Sequence, residues 1–243
     1  MRILQLTDIH IFSNYCDLKE NNDNHYIETI KFILKHKRIL NIDALVITGD
    51  ISHDGGEQSY KIFFQELACL NLPYAILPGN HDNPAVLLHN SIGQKNIKNI
   101  EDLSNDEWSF ISLNSVVEGK DYGKVDEDEI EKLEEKMRRS GHRNIALFLH
   151  HHLLPVGTPL VDICNLQNTK ELLTLCQKYP VKFVGSGHAH TLFQRKIGDL
   201  LLSVSPAVCY QWENGTNYVN TVNTSGFNII SFNEPVFVET YFI

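Results

Sequence analysis

The chain has 243 residues, of which 42% are hydrophobic and 21% charged, and its formal net charge is −9. These fractions are typical of a globular protein and the length suits one domain, so we expect residues 1–243 to form a single domain. The acidic balance disfavours sequence-independent binding to a nucleic-acid polymer, which depends on Lys and Arg, but bound cations could still attract a small anionic substrate.

The cysteines favour a reducing cytoplasm as the location of the protein. They are odd in number and form no C-x-x-C pair, which argues against a disulfide framework and against structural zinc; they are Cys16, Cys69, Cys164, Cys176 and Cys209. The first predicted strand starts within two residues of Met1, so we expect no secretory signal. All apolar runs are far shorter than the roughly 18 residues that cross a bilayer, so we expect no membrane span.

Short apolar runs that stop at polar residues or glycine predict buried strands. They occupy residues 3–6, 44–47, 74–77, 145–148 and 181–184. Helical spacing between these runs predicts four helices, marked by Ile27, Ile30, Ile33 and Leu34, by Phe63, Phe64, Leu67 and Leu70, by residues 126–139, and by Leu172, Leu173, Leu175 and Cys176. In the third helix, Asp126 and Glu129 form a predicted N-terminal cap and Gly141 ends the element. Alternating strands and helices indicate an α/β fold.

The last quarter of the chain has a different pattern. Residues 200–204, 227–232 and 236–242 are predicted as strands without helices between them, which favours an antiparallel addition at the end of the sheet. Residues 214–224 are rich in Asn, Thr and Gly and are predicted to form a loop or a flexible flap.

Potential metal ligands follow the five predicted strands. They are Asp8 and His10, then Asp50 after Gly49, then Asn80, His81 and Asp82 after Gly79, then His150, His151 and His152, and finally His188 and His190 after Gly187. Short motifs such as Asp8-x-His10 also occur for structural reasons, and Asp50 alone could be a helix cap or turn residue, whereas the polar run 80–82 has little packing rationale. All five motifs fall at predicted strand ends, which favours one shared site. This is more imidazole and carboxylate than one metal ion needs, so we predict a two-metal site.

The types of ligand narrow the choice of metal ion. In an extended chain residues i and i+2 point to one side, so Asp8 and His10 could contact one ion. Asp50 is the best candidate for a carboxylate that bridges two ions, and Asn80 offers a neutral oxygen. Nitrogen and oxygen ligands without thiolate favour iron, manganese or zinc over copper or an iron–sulfur cluster. At most two residues of the histidine triplet can be near the metal.

This series of motifs resembles the calcineurin-like metallophosphoesterases, and within them the bacterial class III cyclic-nucleotide phosphodiesterases. The resemblance extends to residues 47–55, 77–84, 113–117, 149–159, 204–211 and 225–227, and so covers nearly the whole chain. Residues 14–24 and 214–224 are less similar to that family.

The resemblance implies a fold and a set of ligands. The fold is a four-layer α/β/β/α sandwich of the metallo-dependent phosphatase type, in which helices flank two central mixed β-sheets. Two ions, iron or manganese with zinc as an alternative, would be held by two sets of residues that share Asp50. The first set is Asp8, His10, Asp50 and His190, and the second is Asp50, Asn80, His150 and His188. Substrate contacts are expected from Asn80, His81 and His190.

The implied reaction is hydrolysis of 3′,5′-cyclic AMP to 5′-AMP by a hydroxide that two metal ions activate. His81 is expected to protonate the leaving oxygen or to stabilise charge on the phosphoryl oxygens, and Asp82 to orient its ring. Two alternatives stay open: phosphodiester or phosphomonoester hydrolysis of another small molecule, and a non-catalytic scaffold of the same fold. A scaffold would be expected to have lost ligands or His81. The partner is therefore a small molecule, and the chain is expected to be a monomer or a homodimer.

Overall fold

The computed structural model describes residues 1–12 and 22–243, in which strands and helices alternate up to residue 186 and only strands follow. The strands are β1 (Arg2–Leu6), β2 (Ala44–Thr48), β3 (Tyr74–Leu77), β4 (Trp108–Ser112), β5 (Asn144–Phe148), β6 (Val181–Ser186), β7 (Phe193–Ile197), β8 (Leu200–Val204), β9 (Gln211–Trp212), β10 (Thr221–Val222), β11 (Gly226–Ser231) and β12 (Phe237–Phe242). The helices are α1 (Asn22–Leu40), α2 (Glu57–Ala68), α3 (Pro84–Ser91), α4 (Glu127–Arg139), α5 (Pro159–Asp162) and α6 (Thr169–Lys178), with a 3₁₀ turn at Ile100–Leu103.

The strands form two five-stranded mixed sheets and one small hairpin. The first sheet has the order β12-β11-β1-β2-β3, in which β1, β2 and β3 are parallel while β11 and β12 are antiparallel to their neighbours. The second sheet has the order β4-β5-β6-β8-β7, and only β7 is antiparallel in it. The hairpin joins β9 to β10.

The two sheets pack face to face, with helices on their outer sides. Side chains of both sheets meet in a shared apolar layer that includes Val46 and Leu77 from the first sheet and Phe110 and Phe183 from the second. The first sheet's other face packs on α1 and α2, and the second sheet's other face packs on α4 and α6. Parallel strands need both faces covered, which is why β2 is buried along its whole length. The predicted four-layer α/β/β/α sandwich is confirmed.

Most predicted elements are present, with corrections at their edges. The strand at Leu200–Val204 is parallel to β6 and lies in the second sheet, so only β11 and β12 are the predicted antiparallel addition. Asp126 takes the N-cap position of α4, but its side chain makes no capping hydrogen bond. The pattern-based expectations did not include β4, α3 or α5.

The structure also bears on the expectations for residues 214–224 and for residues 14–24. Residues 214–224 are not wholly a loop, because β10 pairs with β9. The less family-like segment at residues 14–24 lies mostly outside the described residues, as does Cys16. Within the described parts of the chain, none of the helices is both long enough and apolar enough to cross a bilayer.

Candidate metal centre

The chain leaves three of the five ligand-bearing strands, β1, β2 and β6, in an unusual backbone conformation. Among the described residues, seven non-glycine residues have a positive φ, and five of these are predicted ligands. The five are Asp8, His10, Asp50, His188 and His190. Left-handed backbone costs roughly 1–3 kcal/mol per non-glycine residue and persists where the surrounding structure imposes it, often at functional sites.

This backbone corrects the expected geometry of the first motif. Asp8 and His10 both have a φ of 51°, so they are not in an extended strand as predicted. The intervening Ile9 is fully buried in the core beneath the first sheet, and the two polar side chains nevertheless reach one cluster. Asp8 and His10 therefore reach one cluster through a left-handed backbone, and not through the extended strand that was predicted.

The ligands expected for the first ion converge. His10 Nε2 lies 3.1 Å from His190 Nε2, and His190 Nε2 lies 3.5 Å from Asp8 Oδ1. His10 Nε2 also lies 3.5 Å from Asp50 Oδ2. All four residues are at least 96% buried.

The ligands expected for the second ion converge in the same way. His150 Nε2 lies 3.0 Å from Asn80 Oδ1 and 3.2 Å from His188 Nδ1. Its distance to Asp50 Oδ2 is 3.4 Å. Asp50 Oδ2 thus faces one histidine of each group, which is the position that a bridging carboxylate requires.

The donor set fits two cations. His150 Nδ1 donates to the carbonyl oxygen of Thr48 at 2.7 Å, and His190 Nδ1 donates to that of Tyr210 at 3.1 Å. When these two rings are neutral their Nε2 atoms are acceptors, and they face other acceptors, Asn80 Oδ1 and Asp8 Oδ1. Among the described residues, the buried Asp8 Oδ1 has no hydrogen-bond partner apart from the His190 ring 3.5 Å away. Converging acceptors of this kind need a cation between them.

Burial and mutual charge determine the protonation of the site. Burial lowers the pKa of His10 to about 3 and that of His188 well below its usual range, so both rings are neutral, as ligands must be. Burial opposes charge on Asp50 as well, but His150 outweighs it and holds the pKa of that carboxyl low. Burial likewise opposes charge on His150, but Asp50 raises its pKa to about 9. A metal ion must displace that proton.

Gly79 and Gly187 are glycines because neighbouring atoms lie too close to their Cα atoms to leave room for a side chain. A Cβ on Gly79 would lie 2.1 Å from Asp50 Oδ1, and one on Gly187 would lie 1.9 Å from Thr7 Oγ1. Real Cβ atoms do not approach other atoms so closely, so both positions require glycine. The β3 and β6 loops can therefore press against the carboxylates that follow β2 and β1.

His81 lies at the exposed edge of the cluster. Its backbone N–H donates to Asp50 Oδ1 at 2.9 Å, and its ring is centred 4.8 Å from the ring of His10. Its Nδ1 donates to the carbonyl oxygen of His53 at 3.0 Å.

The predicted orienting role of Asp82 is wrong. Its carboxylate is buried and accepts hydrogen bonds from the backbone N–H groups of Ile51, Ser52 and Gly79 and from the Tyr60 hydroxyl. The carbonyl oxygen of His53 takes the place predicted for Asp82 at the His81 ring. Asp82 instead holds the loop that follows Asp50 against the loop that carries Asn80.

The other two members of the histidine triplet are buried behind His150. His151 Nδ1 lies 2.9 Å from Ser115 Oγ. The ring of His152 stacks near His188, with centroids 5.8 Å apart, and neither of its nitrogens has a hydrogen-bond partner within the described parts of the chain. His151 is thus bound to Ser115, although its ring also lies close enough to His150 and His188 to share a metal ion with them.

Three residues near the cluster had no predicted role. His53 contacts His10 and His81. The rings of Tyr210 and Trp212 border His190, with centroids 4.9 and 5.7 Å from it. His53 lies three positions after Asp50 inside a family-like segment, which was the available signal, whereas Trp212 lies in β9, whose position beside His190 depends on tertiary structure.

The sequence of the chain is similar to those of known proteins. The sequence profile of the calcineurin-like phosphoesterases matches residues 1–192. A “Probable cyclic nucleotide phosphodiesterase” of Xenorhabdus bovienii is 39% identical over 239 residues, which cover 96% of each chain. The “3′,5′-cyclic adenosine monophosphate phosphodiesterase CpdA” of Escherichia coli is 32% identical over 218 residues, which cover 88% of this chain and 78% of the relative.

A solved structure shows the same fold at low sequence identity. The dimetal phosphatase of Danio rerio superposes with a TM-score of 0.70 over 100% of this chain and 98% of its own, at 13% identity. The two-sheet architecture is therefore shared with a phosphatase whose sequence has diverged widely.

Proposed function

The chain belongs to the calcineurin-like phosphoesterase family, and on this basis we propose that it hydrolyses 3′,5′-cyclic AMP to 5′-AMP. The observation that carries the proposal is the pair of converging ligand groups that share Asp50. Relatives named as cyclic nucleotide phosphodiesterases support the class of substrate, and a relative at 32% identity named for cyclic AMP supports the base.

The proposed ligands are the seven residues of the two groups. Asp8, His10, Asp50 and His190 would hold one ion, and Asp50, Asn80, His150 and His188 the other. Iron or manganese, with zinc as an alternative, suits this set of nitrogen and oxygen ligands. When bound, two cations lower the pKa of water toward neutrality and neutralise charge on the phosphoryl oxygens.

His81 is the proposed proton donor to the leaving oxygen of the ribose. Its Nδ1 is committed to the His53 carbonyl oxygen, which leaves Nε2 as the nitrogen that exchanges the proton. Its exposed position at the rim of the cluster gives a substrate access to the ring. Asn80 and His190 lie in the two ligand groups and are the other proposed substrate contacts.

An aromatic wall, formed by Tyr210 and Trp212, is the proposed contact for the base. Both rings are partly exposed and adjoin His190, and their centroids are 5.3 Å apart. The main chain beneath the wall is tied to His190, because the backbone N–H of Trp212 donates to the His190 carbonyl oxygen at 2.9 Å. Stacking of a base on an aromatic ring contributes about 1–3 kcal/mol.

Trp212→Leu tests the role of the wall. Loss of a stacking contact of that size should raise KM for cyclic AMP about 5- to 150-fold, because the base stacks in the ground state as well. KM for a ribose 3′,5′-cyclic phosphate that lacks the base should stay unchanged. Equal changes for both substrates would contradict stacking.

A substrate panel tests the function itself. The metal-loaded protein would be assayed with cyclic AMP, cyclic GMP, bis-p-nitrophenyl phosphate and p-nitrophenyl phosphate in added Mn²⁺. Preferential hydrolysis of cyclic AMP to 5′-AMP is the expected result. Hydrolysis of only the synthetic esters would indicate another small phosphate ester as substrate, and no hydrolysis of any compound would indicate a scaffold.

Three further expectations stay predictions. Residues 1–243 are proposed to act as one domain, which the apolar layer shared by the two sheets supports. The oligomeric state, monomer or homodimer, and the location in the cytoplasm are likewise predictions.

A further inference from the structure

We propose that His53 is a positioning residue that fixes the ring of His10 for metal binding. The inference rests on the metal site of the proposed function and not on the identity of the substrate. Its basis is a contact at the outer edge of the cluster, where His53 Nδ1 lies 3.3 Å from His10 Nδ1.

The other proposed histidine ligands that face the cluster through Nε2 show what such a contact does. His150 and His190 each donate Nδ1–H to a backbone carbonyl oxygen, that of Thr48 or that of Tyr210. A ligating imidazole commonly donates its second N–H in this way, which sets the tautomer and the plane of the ring. The Nδ1 of His10 has the ring nitrogen of His53 in the corresponding position.

The direction of this hydrogen bond follows from the chemistry of the ligand. His10 Nε2 faces Asp50 Oδ2 and His190 Nε2, so Nε2 is the nitrogen that would bind the ion. In a neutral ring the proton then lies on Nδ1, which must donate. His53 therefore accepts through Nδ1 and carries its own proton on Nε2.

The loop around His53 is held firmly enough to orient a partner. Its backbone N–H donates to the Ile11 carbonyl oxygen at 2.9 Å, and its ring packs on Phe12 with centroids 4.2 Å apart. One position earlier, the Ser52 N–H is bound by the buried carboxylate of Asp82. The acceptor nitrogen is thus fixed relative to the loop that carries His10.

The backbone of His53 bonds to His81, and its ring contacts both His10 and His81. The carbonyl oxygen accepts from His81 Nδ1, while the ring lies 3.3 Å from His10 Nδ1 through its own Nδ1 and stacks on the His81 ring with centroids 5.2 Å apart. A side-chain substitution therefore leaves the His81 hydrogen bond in place, and a variant that keeps a flat ring also keeps the stacking on His81.

Two substitutions separate hydrogen bonding from packing. His53→Phe keeps a flat ring against Phe12 but has no acceptor, while His53→Asn loses the ring but places an amide oxygen near the position of Nδ1. His89, an exposed residue of α3, provides the matched control His89→Phe.

The measurement is Mn²⁺ binding to metal-stripped protein by titration calorimetry, with thermal unfolding recorded for each variant. His53→Phe should weaken one of the two Mn²⁺ sites by about 10- to 100-fold, as loss of such a partner commonly does. His53→Asn should bind with about wild-type affinity, and His89→Phe should match wild type. Because the readout is ion affinity, the comparison does not depend on whether cyclic AMP is cleaved.

Three results would overturn the proposal. They are wild-type affinity at both sites in His53→Phe, an equal loss in His53→Phe and His53→Asn, and a wild-type protein that binds no Mn²⁺. A wild-type protein that binds two ions but leaves cyclic AMP intact would refute the proposed substrate alone.

Discussion

Gly79→Ala is the most direct perturbation of the centre, because it adds one methyl group beside the shared carboxylate. The new Cβ would lie 2.1 Å from Asp50 Oδ1 and 2.4 Å from Asp50 N. Relief of this overlap requires a shift of about 1 Å, a displacement that can reduce turnover by about 100-fold. Since Asp50 Oδ2 faces both ligand groups, the affinities for both ions should fall together.

The overlap also has a cost in stability. Overpacking typically lowers the free energy of unfolding by about 1–3 kcal/mol. A protein of this size loses about 2–4 °C in Tm per kcal/mol, so Tm should fall by about 2–12 °C. Metal content by mass spectrometry, Mn²⁺ titration and thermal unfolding of metal-stripped protein measure the two effects separately.

Gly93→Ala provides the control. Gly93 has a φ of 86°, but a Cβ there meets no atom within 4 Å. The substitution should cost about 1–2 kcal/mol through the left-handed backbone and leave metal binding unchanged. If Gly79→Ala bound both ions with wild-type affinity, the close approach of Gly79 would not be what positions Asp50.

Three other variants or conditions test the assignments. Asp50→Ala should remove both ions and activity together, and retention of both ions on metal analysis would contradict the shared role of Asp50. His81→Ala should keep both ions but lower kcat by about 10²–10⁴-fold, and full turnover would exclude a role in proton transfer. Mn²⁺ binding at pH 7 should release protons from His150 and His190. Burial opposes charge on both rings, but Asp50 raises the pKa of His150 to about 9, and Cys209 and Asp8 raise the pKa of His190. Affinity should therefore increase with pH toward about 9, and calorimetric enthalpies that are identical in buffers of different ionisation enthalpy would contradict the release.

The sequence predicted the positions of the ligands better than their local geometry. Apolar runs that stop at Asp, Asn or His mark the strand ends, and that pattern brings Asp50 and Asn80 to one edge of a parallel sheet. The backbone at Asp8 is different, because a positive φ at a non-glycine residue has no reliable signature in a single sequence. The expectation of an extended Asp8–His10 pair was wrong for that reason.

The remaining errors come from tertiary contacts that a local pattern does not contain. Asp82 follows His81 in the chain, yet its carboxylate turns away to bind backbone N–H groups of the loop after β2. The residue that bonds to the His81 ring, His53, is distant in sequence. Likewise, the strand β8 looks like its antiparallel neighbours in sequence, but its pairing with β6 is set by the packing of the second sheet.

The backbone of Asp50 explains how the protein holds the strained loop after β1. The Asp50 carbonyl oxygen accepts from the N–H groups of Ile9 and His10 at 2.8 and 3.0 Å, and the N–H of Asp8 donates to Gly49 at 3.0 Å. These bonds, with the burial of Ile9, can offset the roughly 1–3 kcal/mol that each left-handed residue costs. They involve main-chain atoms, so Asp50→Ala retains them while it removes the carboxylate. Loss of metal without unfolding is therefore the outcome that the geometry requires of that variant.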